Sequence, residues 1–376
     1  MLIQCTQKLL KQLNIKPAEV EYGDPLFSCH ANLMMVNRRK AVVFVNDKNR
    51  YVIVLYGLKT KDFKKLDELF IKAVREVLEN ECIKNYFIEQ FINYSPKIVY
   101  SKTRDRKSVA RMNKSCEAVY YYADFLTADS IYQSALSKKL GRYLVGNGKN
   151  NFITPVEEMY KDLENFFRKP IFSCKAVQLK ITLELCKHKV WRRLVVPLNI
   201  TFDRLHKVLQ KLFGWKDYHL HEFYIYDSTS FCSKLSINDS AYNEHSYNPI
   251  IKLVCDEEAF EYPDDIQTKL ETGIKLSEYI PRYKWLKYDY DFGDNWQHYI
   301  EVEKVIDDYN LNYPVCVDGN GKAPPEDVGG DPGYEEFLGI LRDKNNPEYD
   351  NMLAWGSGQG YEDFDIEAIN SKIRYI

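Results

Sequence analysis

No two cysteines in this sequence are spaced to frame a disulfide network or a metal. The nine cysteines, at 5, 29, 82, 116, 174, 186, 232, 255 and 316, are odd in number and scattered, without a C-x-x-C pair. That pattern argues against a disulfide scaffold and a cysteine zinc site, and favours reduced, buried thiols. No run approaches the roughly 20 apolar residues of a membrane helix. The opening MLIQCTQKLLKQL lacks the charged flank, apolar core and small-residue cleavage site of a signal peptide. The expectation is a cytoplasmic protein with no membrane partner. Neither charge is in excess: 52 Lys and Arg stand against 54 Asp and Glu, a formal net charge of −2, so nothing draws the whole chain to nucleic acid. There is no G-x-S-x-G elbow.

What is present is a chain of 376 residues, 45% hydrophobic and 28% charged, long enough for two or three soluble domains. Charge is uneven along it. SKTRDRKSVARMNK, residues 101–114, holds Lys102, Arg104, Arg106, Lys107, Arg111 and Lys114 against Asp105 alone. Arg104, Arg106, Lys107 and Arg111 are its candidate nucleic-acid contacts, with a solvated face as the plainer reading. From Glu326 to Glu367 there are twelve acidic residues against Arg342 and Lys344.

Residues 1–145 read as an α/β or α+β domain. MLIQCT suggests a strand, TQKLLKQL a helix capped by Thr6, AVVFVND and RYVIVLYGL a hairpin, and DFKKLDELFIKAVREVLEN an amphipathic helix. VGNGKNN and the helix TPVEEMYKDLENFF read as a linker over 146–173, with Thr154 and Glu157 as a capping box. The third segment, 174–376, alternates cleanly in AVQLKITLEL, returns in VWRRLVVPL, and then gives the helix TFDRLHKVLQKLFGW, capped by Thr201 and stopped by Gly214. Strands follow in HLHEFYIYD and in a hairpin whose Gly293-Asp294 centre suggests a two-residue turn with positive φ at glycine. DPGYEEFLGILRD reads as a helix capped by Asp331. The fold class is α+β, two domains, the C-terminal one a mostly antiparallel sheet with helices packed on one face.

Period-two alternation aligns His219 and His221 with Phe223, and His298 with Trp296 and Ile300. Three imidazoles on apolar strand faces predict either satisfied core rings or a divalent-metal set of His219, His221 and His298. Asp291 and Asp294 accompany the hairpin. Residues 315–337 add an irregular glycine-rich loop with Glu326 and Asp327, acidic where a phosphate-binding loop needs lysine, and so suited to a cation or a basic partner. Cys316 beside these carboxylates makes a poor nucleophile.

The motifs HLHEFYI, YDYDFGDNWQHYIEVE and YPVCVDGNGKAPPEDVGGDPGYEEFL, in this order, resemble the Ri-plasmid open-reading-frame-three-like family, some of whose members are labelled resolvase-like. The resemblance covers 174–370, about half the chain, and falls on His219, His221, Asp291, Gly293, Asp294, Trp296, His298, Glu326, Asp327, Gly329 and Gly330. Lys322 and Ala323 stand where many members have Ala-Cys, which removes a second thiol here. The resemblance implies an α+β fold and a plasmid or mobile-element setting, and no established activity; a resolvase would need a serine nucleophile in a recombinase domain, and none is found. Residues 1–145 resemble an uncharacterised bacterial domain.

The leading expectation is a two-domain binding or interaction protein whose candidate site is His219, His221, Asp291, Asp294, Trp296, His298, Glu326 and Asp327. A metal-dependent hydrolase of nucleotides or nucleic acid, with Asp294 or Glu326 as base, is the alternative; a nucleic-acid-binding protein is the second. The partner would be nucleic acid or another protein. His298 is expected to be buried and to tie the 318–331 carboxylates to the sheet.

Overall fold

The structure is a computed structural model and describes residues 1–21, 23–148, 151–227, 249–261, 265–374 and 376. Contacts divide the chain into two compact units, Met1–Ser173 and Cys174–Ile376.

The first unit is built on strands β1 (Leu2–Cys5), β2 (Ser28–Val36), β3 (Arg39–Asn46), β4 (Val52–Leu58) and β5 (Val99–Lys102), in the order β4-β3-β2-β1-β5. β1 runs parallel to β2 and β5, while β2, β3 and β4 are antiparallel. Both faces are covered, which explains the near-continuous apolar runs of β3 and β4. Val42 and Phe44 join Ile3, Leu33 and Leu55 in one core, against the helices Leu66–Asn80 and Asn85–Tyr94. Ala41, Val43 and Val45 face the other way, onto Met112, Cys116 and Val119 of the helix Arg106–Tyr121 and Leu136 and Leu140 of Ser134–Gly141.

Thr6 caps the helix Gln7–Leu13 as expected, its side chain accepting from the Leu9 amide. Strand β2 and the helices Asn85–Tyr94 and Arg106–Tyr121 carry no expectation from the sequence. The last of these takes up most of the basic run, with Asp105 accepting from the Ser108 amide at 2.8 Å as its cap. A two-stranded ribbon of β6 (Val145–Gly146) and β7 (Phe152–Ile153) precedes the helix Pro155–Phe167. That helix, read as a linker, puts Val156, Met159, Tyr160 and Leu163 into the first unit's core. Its Thr154 makes no side-chain capping bond, nor does Thr201.

Among the described residues the second unit has eight strands: β8 (Cys174–Leu183), β9 (Val190–Pro197), β10 (His221–Tyr226), β11 (Pro249–Val254), β12 (Thr268–Leu270), β13 (Trp285–Tyr290), β14 (Trp296–Tyr309) and β15 (Val315–Asn320). Their order is β12-β11-β10-β13-β14-β8-β9-β15, antiparallel throughout except β11 with β12. Leu179, Ile181, Leu194, Phe223, Leu286, Tyr288 and Ile300 form the inner face, against Phe202, Leu205, Leu209, Leu212 and Phe213 of the helix Phe202–Phe213. Gly214, at φ 79°, stops that helix. The opposite face is polar: Arg193 reaches Glu303 through two bonds of 2.7 and 2.9 Å. The fold is α+β, with the C-terminal sheet mostly antiparallel. Among the described residues no helix is long and apolar enough to cross a membrane.

Candidate functional site

The hairpin β13–β14 closes on the pair Tyr290 and Trp296, leaving five residues, 291–295, in the connection rather than a two-residue turn. Positive φ falls on Asp291 (54°) and Asn295 (56°), and Gly293 is not among the positive-φ residues. The cause is local. Asp291 Oδ1 accepts from the amides of Gly293 (3.0 Å) and Asp294 (3.3 Å), and the Asp291 amide donates to Leu220 O at 3.0 Å. A side chain that bonds its own following amides favours a left-handed turn residue.

The acidic loop locks onto this turn. Asp294 Oδ2 accepts from the Gly329 amide at 3.1 Å, and a Cβ on Gly330 would stand 2.8 Å from Asp294 O. Glu326, fully buried, accepts from the Lys216 amide at 2.9 Å and from the Tyr290 hydroxyl. Trp215 Nε1 donates to Pro324 O at 3.0 Å. Asp331 lies in the first turn of the helix Gly330–Arg342 and accepts from the Cys186 amide at 3.1 Å, so Gly329 takes the capping position expected of it.

These constraints bring three side chains together. His219 Nε2 lies 2.7 Å from Asp327 Oδ1 and 3.5 Å from Asp291 Oδ2, and the three ligand-capable atoms fall within 4.8 Å of one another. Asp291 is nearly closed to solvent, while His219 and Asp327 are 31% and 44% exposed at their side chains, so the cluster opens outward. Partial burial works against a charge on His219, but the bond to Asp327 and the charge of Asp291 hold its pKa above the usual histidine value.

The expected trio of His219, His221 and His298 does not converge. Strand β10 begins at His221, so alternation does not reach back to His219, and Asp217 at φ 67° bends the segment before it. His221 is buried, bonds Glu271 at 2.9 Å, and stacks on His206 with ring centres 3.5 Å apart and planes 2° from parallel. Burial opposes its protonation, yet the Cys255 thiol and Glu271 carry its pKa up to about 9. Burial and then the His221 charge press His206 down to about 4. His206 belongs to a closed ring of bonds. Its Nε2 meets Asp217 at 2.7 Å and its Nδ1 the Tyr288 hydroxyl at 2.8 Å; Gln210 Nε2 donates to that hydroxyl, and Gln210 Oε1 accepts from the Asp217 amide.

His298 is fully buried, as expected, with Trp296 and Ile300 in the same core. It does not tie the acidic loop to the sheet. Its Nδ1 meets the Tyr288 carbonyl at 3.2 Å, its Nε2 has no partner among the described residues, and burial lowers its pKa to about 3. Strand pairing places it opposite Tyr288, deep in the hairpin rather than at the turn. Trp296 Nε1 is likewise buried without a partner among the described residues. Asp294 and Glu326, the two candidate bases, are committed to amides and, for Glu326, to Tyr290. Burial pushes the Cys316 thiol up to about 11, against nucleophilic use.

Arg104, Arg106 and Lys107 are exposed in the first unit, and the half-buried Arg111 bonds Asn147 Oδ1 at 3.0 Å. Sequence reading missed His206, Asp217 and Glu271. The available signal was His206 itself, a lone histidine on the inward stripe of Phe202, Leu205 and Leu209.

Residues 175–372 match the family described as plasmid pRiA4b ORF-3-like protein, and residues 2–158 match a domain of unknown function (DUF6933). The uncharacterized protein y4hQ of Sinorhizobium fredii is 34% identical over 194 residues, 52% of this chain and 86% of that protein. A crystal structure of a protein of unknown function from Methanosarcina mazei Go1 aligns at 33% identity and a TM-score of 0.40, over 52% of this chain and 97% of that one. With its C-terminal unit matched from 175 to 372, more than half of its length, the chain belongs to the plasmid pRiA4b ORF-3-like protein family.

Proposed function

We propose that the C-terminal unit is a binding module that holds a divalent cation through His219, Asp291 and Asp327. The observation that carries this reading is the approach of one imidazole nitrogen and two carboxylate oxygens to within 4.8 Å. Asp291 is the fixed ligand: two backbone amides occupy Oδ1 and leave Oδ2 toward His219. One nitrogen and two oxygen donors suit manganese or zinc better than calcium. Three protein ligands leave coordination positions for a ligand from solution, which makes the site a receptor for an anionic or carbonyl group. Hydrolysis is not part of this reading, because both candidate bases are engaged in holding the loop.

Calorimetric titration of the full chain with Mn2+ and Zn2+ tests it. One equivalent should bind, binding should weaken by about tenfold or more in Asp291→Asn and His219→Ala, and affinity should fall with acid as the imidazole protonates. Absence of saturable binding, or equal binding by both variants, overturns the proposal and leaves His219 and Asp327 as an ion pair that fastens the loop.

A further inference from the structure

The first unit contains a feature that the cation site does not use. Arg50 is 6% exposed, and its guanidinium donates to the Gly146 carbonyl at 2.7 Å. Arg111 donates to the Asn147 amide oxygen at 3.0 Å. Both acceptors are neutral, and among the described residues neither guanidinium pairs with a carboxylate. Burial and then the charge of Arg111 lower the pKa of Arg50. Two neighbouring arginines, one almost wholly enclosed, with only neutral acceptors, leave positive charge uncompensated. An anion relieves that cost.

The helix that carries Arg111 continues the pattern. Lys107, Lys114 and Tyr121 are spaced by seven residues, two turns, and so share one side of it. Glu117 is the only carboxylate within the helix Arg106–Tyr121. At its C-terminal end stands a group of rings. Tyr121 is 79% exposed and packs edge-on to Tyr122 at 4.8 Å, and Tyr122 stacks on Tyr143 at 5.1 Å. Phe125, 48% exposed, lies beneath Lys139 Nζ at 4.1 Å. From Lys107 to Tyr121 the face runs about 21 Å at 1.5 Å per residue, the length of a few extended nucleotides.

We propose that this face of the first unit binds single-stranded nucleic acid, with a backbone phosphate at Arg111, backed by the charge of the enclosed Arg50, further phosphates along Lys107 and Lys114, and bases on the exposed rings around Tyr121. Uncompensated basic charge supplies attraction that is indifferent to sequence, and the rings supply stacking that a duplex, with its bases already stacked, does not take up. This proposal is independent of the cation site, which lies in the other unit.

Fluorescence anisotropy of the full chain with labelled 12-nucleotide single strands of DNA and of RNA, and with a duplex of the same sequence, provides the test. The expected result is binding of single strands above duplex, with the ratio of DNA to RNA affinity naming the natural source. The logarithm of affinity should fall against log salt by about 0.7 for each phosphate contact. Tyr121→Ala should weaken binding about 5- to 100-fold with an unchanged salt slope. The double variant Lys107→Ala and Lys114→Ala should flatten the slope by about 1.4, twice that contribution. All three residues lie on an exposed helix face, and a melting curve confirms that the variants are folded. No binding of either single strand at 50 mM salt, duplex bound as tightly as single strand, or indifference to Tyr121→Ala would each overturn the proposal.

Discussion

His298 is enclosed by the rings of Phe213, Trp215 and Tyr288, with centroids 4.6, 5.2 and 5.2 Å away. Its Nε2 finds no partner among the described residues, so the ring contributes packing more than hydrogen bonding, and its replacement should behave as a cavity mutation. His298→Ala is expected to cost about 2–4 kcal/mol in urea unfolding, and His298→Leu distinctly less. Amide exchange over residues 326–330 should stay as it is, because no bond joins the ring to that loop. An unchanged unfolding midpoint in the alanine variant would show that packing is not what holds the imidazole there. Glu81 is the contrary case. It is fully buried at its side chain and meets Arg142 at 2.8 and 2.7 Å, the Tyr51 hydroxyl at 2.9 Å and the Tyr160 hydroxyl at 2.7 Å. Burial alone would raise its pKa, but the Arg142 bonds and charge hold it at about 2. Glu81→Gln removes the charge facing the partly exposed Arg142 guanidinium and leaves one oxygen to accept from two tyrosine hydroxyls, and it should destabilise the first unit by about 2 kcal/mol in urea unfolding.

The acidic loop owes its shape to two glycines. Gly330 sits at φ 68° with its Cα hydrogen against Asp294 O, and a Cβ on Gly333 would lie 1.9 Å from Val328 O. Gly339, in the same helix, faces open space. Gly330→Ala and Gly333→Ala should therefore draw Asp327 away from His219 and weaken cation binding about tenfold or more, while Gly339→Ala leaves it unchanged. Equal titrations for all three variants would sever the loop from the site. At this scale the strands were the most legible elements: AVQLKITLEL could not alternate otherwise and bury one face. Ends and connections were less so. Thr154 and Thr201 have the residue type of a cap without making the bond, and Gly329 displaced Asp331 at the start of its helix, because the loop's attachment to Asp294 outweighed local preference. Among the site residues, Asp291 and Asp327 were visible as carboxylates beside turns. Their meeting with His219 was not, since it depends on where the 215–220 segment leaves the helix, a tertiary fact that period-two reasoning does not carry.

Over the whole molecule these histidines make stability depend on pH in two directions. An unfolded histidine titrates near 6.5. His298 and His206, held at about 3 and about 4, take up protons in the folded state only well below that. Between about 6.5 and those values the unfolded chain binds more protons, so stability falls as the solution is acidified, by roughly 1.4 kcal/mol per pH unit for each ring. His221, at about 9, has the opposite sign. Its contribution is complete below about 6.5 and is lost as pH rises through 9, when the Glu271 carboxylate is left buried beside a neutral ring. Asp289, raised to about 6 chiefly by burial, binds its proton more readily when folded and offsets part of the acid limb between about 6 and 4. The melting temperature of the C-terminal unit should thus peak near neutrality, at about pH 6–7, and decline on both sides. His298→Leu should flatten part of the acid limb and leave the alkaline one in place, while Glu271→Gln should flatten the alkaline limb and, by lowering the charge on His221, ease the depression of His206. A profile level from pH 5 to 9, or an alkaline limb that persists in Glu271→Gln, would mean that the stacked pair His206 and His221 shares its proton differently from the arrangement of one neutral and one charged ring.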